Sequence, residues 1–317
     1  MAVRVRGMKK AYGGRAILDG IDLTVPAGTV FSLLGPNGAG KTTVVKILST
    51  LITADSGDLR VGGHDLAADP GAVRESIGVT GQFSAVDGLI TGEENMRLMA
   101  DLHRLPRREG RSRVATLLER FDLVEAAKKP ASTYSGGMRR RLDIAMTLVG
   151  DPRIIFLDEP TTGLDPRSRH AMWEIVRELV ADGVTVFLTT QYLQEADELA
   201  DRVAVLNGGA LVAEGTPDEL KRLVPGGHVR LRFADADELR RARRLFREAE
   251  AERELGVGTG DEEALTLQIP SDGGVQSVKA ILDRVDGAGL EVAGLTLERP
   301  DLDDVFFAVT GQQVVTS

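Results

Sequence analysis

Cysteine is missing altogether from the 317 residues, which excludes disulfides and thiolate zinc sites. No apolar run approaches the roughly 18–20 residues that would cross a bilayer as a helix. The opening stretch, Met1-Ala2-Val3-Arg4-Val5-Arg6, alternates like a strand and lacks the apolar core of a secretion signal, so a cytoplasmic protein is expected. A basic excess is missing too. Asp and Glu number 48 against 39 Lys and Arg, a net charge of −9, which argues against nucleic acid as a partner. What is present, 42% hydrophobic and 27% charged residues, suits a soluble globular chain. Its length allows one large domain with a small one, or two ordinary ones.

Against this plain background one segment stands out. Gly35-Pro36-Asn37-Gly38-Ala39-Gly40-Lys41-Thr42 has the spacing G-x-x-x-x-G-K-[ST] of a phosphate-binding loop. The run Thr29-Val30-Phe31-Ser32-Leu33-Leu34 before it is short and apolar enough for a buried strand. After it, Val44, Val45, Ile47, Leu48 and Leu51 recur at helical spacing. Strand, glycine turn and helix N-terminus together make an anion cradle, in which backbone N–H groups close on phosphates and the helix dipole favours their charge. Lys41 is placed to reach the β- and γ-phosphates of a nucleotide, and the Thr42 hydroxyl to ligate Mg²⁺.

A second segment, Ile154-Ile155-Phe156-Leu157-Asp158-Glu159, reads as a strand buried on both faces and ending in two carboxylates. Ligand sites gather at the carboxyl ends of such strands. Asp158 suits a role in holding Mg²⁺ through its water shell, and Glu159 the role of general base on an attacking water. Between the two lies Tyr134-Ser135-Gly136-Gly137-Met138-Arg139, where a hydroxyl and two glycines open a helix carrying Met138, Leu142, Ala145, Met146 and Val149 on its apolar side.

Phosphate loop, Ser-Gly-Gly and acidic strand, in that order, resemble the nucleotide-binding subunits of ATP-binding-cassette (ABC) transporters. The resemblance implies an α/β P-loop NTPase fold with a mostly parallel core sheet, an antiparallel β subdomain and a helical subdomain. It implies ATP and Mg²⁺ as ligands. It also implies a head-to-tail, ATP-dependent homodimer in which Ser135, Gly136 and Gly137 serve the nucleotide of the opposite subunit. Further positions match one by one. Tyr12 stands where the family stacks an aromatic ring on adenine, and Thr43 adds a hydroxyl near the α-phosphate. Gln82 matches the glutamine that contacts Mg²⁺ or the attacking water, and Asp165 the loop that crosses the dimer interface. One position departs. Where most members carry a histidine on the γ-phosphate, this chain has Gln191, whose amide donates a hydrogen bond but holds no titrating proton. The catalytic set is therefore Glu159, Gln82, Lys41 and Gln191. His64, His103, His170 and His228 lie outside the motifs and read as surface or packing residues.

The domain expected to bind nucleotide covers residues 1–224, with an antiparallel sheet in its first 28 or so and a helical subdomain over about 83–152. Phe83 to Leu89, directly after Gln82, is the candidate surface for coupling to a membrane subunit. Pro225-Gly226-Gly227 punctuates the chain, and residues 225–317 form a small α+β accessory unit with the order β-α-β-α-β and no catalytic constellation. Its Arg240-Arg241-Ala242-Arg243-Arg244 run reads as a solvated helix face. Leu302 to Gly311, with Thr189 to Leu193, narrows the resemblance to the daunorubicin/doxorubicin-resistance exporter ATPases. That implies a permease on a separate chain, a hydrophobic drug-like cargo, and a subunit held at the inner face of the membrane through the permease. The alternative is a soluble ABC-type ATPase acting on nucleic acid or ribosomes. Such proteins usually carry two cassettes, zinc modules or long coiled coils, and this sequence shows none of them.

Overall fold

The computed structural model describes residues 1–81, 85–223, 227–251, 259–261, 265–271, 274–298 and 301–310. Gln82, with Phe83 and Ser84 of the coupling candidate, and Pro225-Gly226 of the expected boundary lie outside the described residues. The chain divides into two units, Met1–Pro217 and Asp218–Ser317. The division falls a few residues before the Pro-Gly-Gly punctuation.

In the first unit, β1 (Val3–Tyr12) and β2 (Arg15–Val25) pair antiparallel from Val3↔Val25 to Tyr12↔Arg15. β3 (Val30–Leu34) leads through the phosphate loop into α1 (Lys41–Leu48). β4 (Ser56–Val61) and β5 (His64–Asp65) complete an outer sheet of order β2-β1-β4-β5. Next come α2 (Pro70–Ser76), capped by Asp69, and β6 (Ile77–Thr80). The helical insert holds α3 (Gly92–Leu102), α4 (Arg107–Arg120) and α5 (Gly136–Leu148). A capping box, Thr91 with Glu94, starts α3, so two orphan N–H groups are satisfied reciprocally. The chain then returns through β7 (Ile154–Asp158), α6 (Pro166–Ala181), β8 (Thr185–Thr190), α7 (Leu193–Leu199), β9 (Arg202–Asn207) and β10 (Ala210–Gly215). α8 (Pro217–Lys221) spans the division between the units.

The central sheet has the order β10-β9-β3-β8-β7-β6 and is parallel apart from the antiparallel β10. Every residue of β3, β7 and β8 is buried, as strands covered on both faces require. Alternate side chains feed two cores. Phe31, Phe156 and Phe187 point to the side of the outer sheet and α1, with Phe31 and Phe187 stacked at 5.3 Å. Ile155, Leu157, Val186 and Leu188 point to the side shared with α5, α6 and the helical insert. The strand ends are thereby fixed from both faces, and the phosphate loop and acidic pair sit on those ends.

The second unit contains β11 (Gly227–Phe233), α9 (Ala236–Ala251), β12 (Thr259–Asp261), β13 (Thr266–Ser271), α10 (Val275–Gly287), β14 (Val292–Glu298) and α11 (Leu302–Thr310). Its antiparallel sheet runs β12-β13-β11-β14. With β12 included, the order is β-α-β-β-α-β, the split-βαβ or ferredoxin-like arrangement. The expected β-α-β-α-β lacks this strand because Thr259-Gly260-Asp261 carries no apolar periodicity to betray it. Leu239, Ala242 and Phe246 of α9 pack with Ile281 and Val285 of α10 on Val229, Leu231, Phe233, Leu267 and Ile269.

Candidate functional site

The loop between β3 and α1 folds tightly against the sheet. A Cβ at Gly35 would fall 2.3 Å from the Leu206 carbonyl oxygen, so only glycine lets the backbone pass β9 here. Gly40 precedes α1 at φ 111°, in the region that only glycine adopts at low cost. Lys41 is turned back under the loop it follows. Its Nζ donates to the carbonyls of Gly35 at 2.8 Å and Pro36 at 3.2 Å, and pairs with Glu159 Oε1 at 3.3 Å. The two side chains are only 4% and 10% exposed, so little solvent screens the pair. Around them opens a cleft of about 440 Å³ lined by Tyr12, Ile17, Asn37, Gly38, Gly40, Lys41, Thr42, Thr43 and Glu159. Ala39 is buried in the core beside the loop and does not line the cleft.

The two carboxylates at the end of β7 are held differently. Asp158 is buried and accepts a 2.5 Å hydrogen bond from Thr189 Oγ1 of β8. The backbone turns at Glu159, whose φ of 49° is left-handed and costly for a side chain of this kind. Two bonds from the Glu159 N–H, to Thr189 O and Thr189 Oγ1 at 3.1 Å, hold that turn and aim the carboxylate into the cleft. Thr189 thus fixes both acids. The sequence motif names Gln191 and passes over Thr189, because the register Asp158↔Thr189 is a property of the sheet. Ile17 belongs to no motif either, and reaches the cleft because β2 packs beside the loop, with the Ile17 carbonyl 3.2 Å from where a Cβ at Gly40 would stand.

Ser135, Gly137 and Asp165 lie elsewhere. They line a second cleft, of about 400 Å³, with Ser168 and Arg141 among its walls. Ser135 caps α5, its Oγ accepting from Met138 N–H at 3.2 Å. Asp165 caps α6, accepting from Ser168 N–H at 3.0 Å and Ser168 Oγ at 2.6 Å, and these bonds hold its carboxyl below the usual range. Gly136 opens α5 beside them. Gln191 follows β8, half-buried, and lines neither cleft.

Burial also moves the titration of two groups that face each other's charge behind the acidic strand. Burial pushes the Arg140 guanidinium down, opposed by the charges of Asp143, Asp158 and Glu195. Burial pushes the fully enclosed Glu195 carboxyl up, against the hydroxyls of Thr190 and Thr161, the Trp173 N–H and the charge of Arg169.

Comparison with known proteins fits this layout. The family described as ABC transporter matches residues 18–162, from β2 through the acidic pair. Daunorubicin resistance ATP-binding protein DrrA3 of Streptomyces coeruleorubidus is 46% identical over 310 residues, covering 98% of this chain and 96% of that protein. The chain belongs to the ATP-binding subunits of ABC transporters. Cassettes of this family hydrolyse ATP to power transport. Daunorubicin/doxorubicin resistance ATP-binding protein DrrA of Streptomyces peucetius is 47% identical, covering 98% of this chain and 92% of that protein. Nod factor export ATP-binding protein I of Rhizobium sp. (strain N33) is 35% identical, covering 99% and 98%. Among solved structures, an ATP-binding subunit of an ABC transporter matches 70% of this chain and 93% of its own, at 29% identity and TM-score 0.64. A dimeric post-hydrolysis cassette bound to ADP and Pi matches 68% and 98%, at 26% identity and TM-score 0.61. A second family, described as the osmosensitive K+ channel His kinase sensor domain, matches residues 104–241. That span omits the phosphate loop.

Proposed function

We propose that this chain powers efflux of a hydrophobic, drug-like compound through a permease on a separate chain, as a head-to-tail pair closing around two ATP molecules. The single observation that carries the reading is the division of the motifs between two clefts of one cassette. Lys41 and Glu159 share one, while Ser135, Gly137 and Asp165 line the other. Two copies arranged head to tail bring the halves together, and the related cassette bound to ADP and Pi is itself dimeric. The cargo class follows the two resistance proteins, whose likeness extends through the second unit as well as the cassette. No helix among the described residues is long and apolar enough to cross a membrane; in this reading the passage is formed by another chain.

The cleft supports in-line hydrolysis. Backbone N–H groups of Gly38 to Thr42 and the Lys41 ammonium cradle the phosphates, and Tyr12, half-exposed at the end of β1, faces the base. Water attacks the γ-phosphorus as the bond to the β–γ bridging oxygen breaks, ADP leaving with that electron pair. The proton lost by the water passes to the Glu159 carboxylate, and Lys41 balances charge on the phosphoryl oxygens. Mg²⁺, when bound, neutralises phosphate charge, and Thr42, Gln82 and Asp158 are the residues that would hold it. Among the described residues no three His, Asp or Glu form a cage. The fit rests on the donors present, the Thr42 hydroxyl and the Asp158 carboxylate, since Mg²⁺ keeps its waters and leans on one or two protein oxygens plus phosphates. The partner's Ser-Gly-Gly helix start and Asp165 loop complete the site.

ATPase activity measured against protein concentration tests the reading. Specific activity should rise with concentration and vanish in Lys41→Ala. Activity indifferent to concentration in a chain that sizes as a monomer would refute the shared site. Copurifying ribosomes or nucleic acid, without a membrane protein, would favour the soluble alternative.

A further inference from the structure

Arg140 lies one turn into α5, on the helix that opens with Ser135-Gly136-Gly137, and it points away from that cleft toward the chain's own acidic strand. Its side chain is 11% exposed. The guanidinium donates to three main-chain carbonyls: Nε to Pro160 at 3.0 Å, Nη1 to Gly81 at 3.1 Å and Nη2 to Asp158 at 3.3 Å. Nη1 also donates to Asp143 Oδ2 at 3.2 Å. The other oxygen of Asp143, Oδ1, accepts from the N–H of Ala85 at 3.1 Å. Two side chains of one helix therefore hold Asp158 and Pro160, on either side of Glu159, together with Gly81 and Ala85.

Burying a guanidinium is costly unless its charge is paired and its donors are used, and both conditions hold here. The arrangement answers a specific need. Glu159 sits at a left-handed φ of 49°, a conformation that relaxes unless the surrounding structure holds it. Thr189 fixes the N–H of that residue, and Arg140 fixes the carbonyls before and after it. A planar fork of five donors can reach three carbonyls and a carboxylate together. A lysine ammonium, one compact point charge, cannot.

We propose that Arg140, braced by Asp143, is a positioning residue for hydrolysis, setting the Glu159 carboxylate from the helix that presents Ser-Gly-Gly to the opposite nucleotide. The inference rests on the reading of Glu159 as general base. It adds that α5 joins the two sites of the dimer: its first residues meet one nucleotide, and its second turn sets the base acting on the other. A shift of α5 on engaging the partner's ATP then reaches the home carboxylate through one side chain.

The test compares Arg140→Gln, Arg140→Lys and Glu159→Gln in the full-length chain. Arg140→Gln and Arg140→Lys should lower kcat about 10–100-fold, the cost of a base displaced by a fraction of an ångström to an ångström. Binding of a fluorescent ATP analogue should stay within about twofold, because no phosphate contact is lost. In a Glu159→Gln background Arg140→Gln should cost no further activity, as for residues acting through one group. Hydrogen exchange, which needs no turnover, should quicken at Ala85 and Glu159 but not at the first turn of α1. Unchanged kcat or unchanged exchange in both Arg140 variants would overturn the proposal and leave the ATPase reading standing. Sustained hydrolysis by Glu159→Gln would instead overturn the assignment of the base.

Discussion

The two clefts of the cassette are built on opposite principles. The phosphate-loop cleft buries charge: Lys41 and Glu159 meet with little solvent between them, and backbone strain at Glu159 is held by Thr189 and Arg140. The Ser-Gly-Gly cleft is made from helix caps and leaves its carboxylates exposed, Asp165 satisfied by Ser168 and Asp122 paired with Arg141. The first has the electrostatics of a reaction site; the second has those of a surface that orients something. On the proposed reading neither suffices by itself, and a head-to-tail pair sets one against the other.

The sharpest way to break this contrast is to remove the charged half. Glu159→Gln keeps size and hydrogen bonding but takes away the base, so hydrolysis should fall by about 10²–10⁴-fold while ATP binding persists. Steady-state turnover beside a nucleotide-binding titration checks this, and a loss of binding equal to the loss of turnover would mean that Glu159 serves the ground state.

Next is the orienting half. A methyl at Gly137 would lie 2.8 Å from Ser168 Oγ, forcing that side chain off Asp165. Gly137→Ala should silence hydrolysis with ATP affinity nearly intact, and Lys41→Ala should silence it by losing the phosphates. Mixed together, the two dead proteins should regain about a quarter of parental activity, since half the dimers are mixed and each holds one intact composite site. A silent mixture would mean that both halves of a site come from one chain.

Most of the fold and much of the site could be read from residues that carry their own local reason. Ser135, Thr91 and Asp165 are helix caps whose partners lie within three residues, and the phosphate loop announces itself by spacing. Thr189, Ile17 and Arg140 could not be read that way. Each earns its place through a contact that only the sheet order or the packing of β2 and α5 creates. β12, three residues without an apolar one, was invisible for want of any period.

A smaller effect is expected at Gln191. Glutamine does not titrate, whereas histidine in that position would gain a charge as pH falls through about 6.5. The ratio of Gln191→His turnover to parental turnover should rise as pH drops through that value. A flat ratio across the range would place the residue out of reach of the γ-phosphate.

The smallest effect concerns stability, and it lies just behind the strained strand end. Glu195 is fully enclosed, with Trp173 Nε1 donating to its Oε1 at 3.3 Å. The Thr161 and Thr190 hydroxyls and the charges of Arg169 and Arg140 face it from the neighbouring elements. Burial outweighs them, so the folded chain holds the Glu195 proton to a higher pH than the unfolded chain does. A raised folded value gives stability that is complete below the unfolded value and lost as pH rises through the folded one. Glu195→Gln has no such proton to lose. The melting temperature of Glu195→Gln minus that of the parent should therefore climb as pH rises above the ordinary carboxylate range, by a few degrees at most. A difference that stays level over that rise would show that the hydroxyls and arginines compensate the buried charge in full.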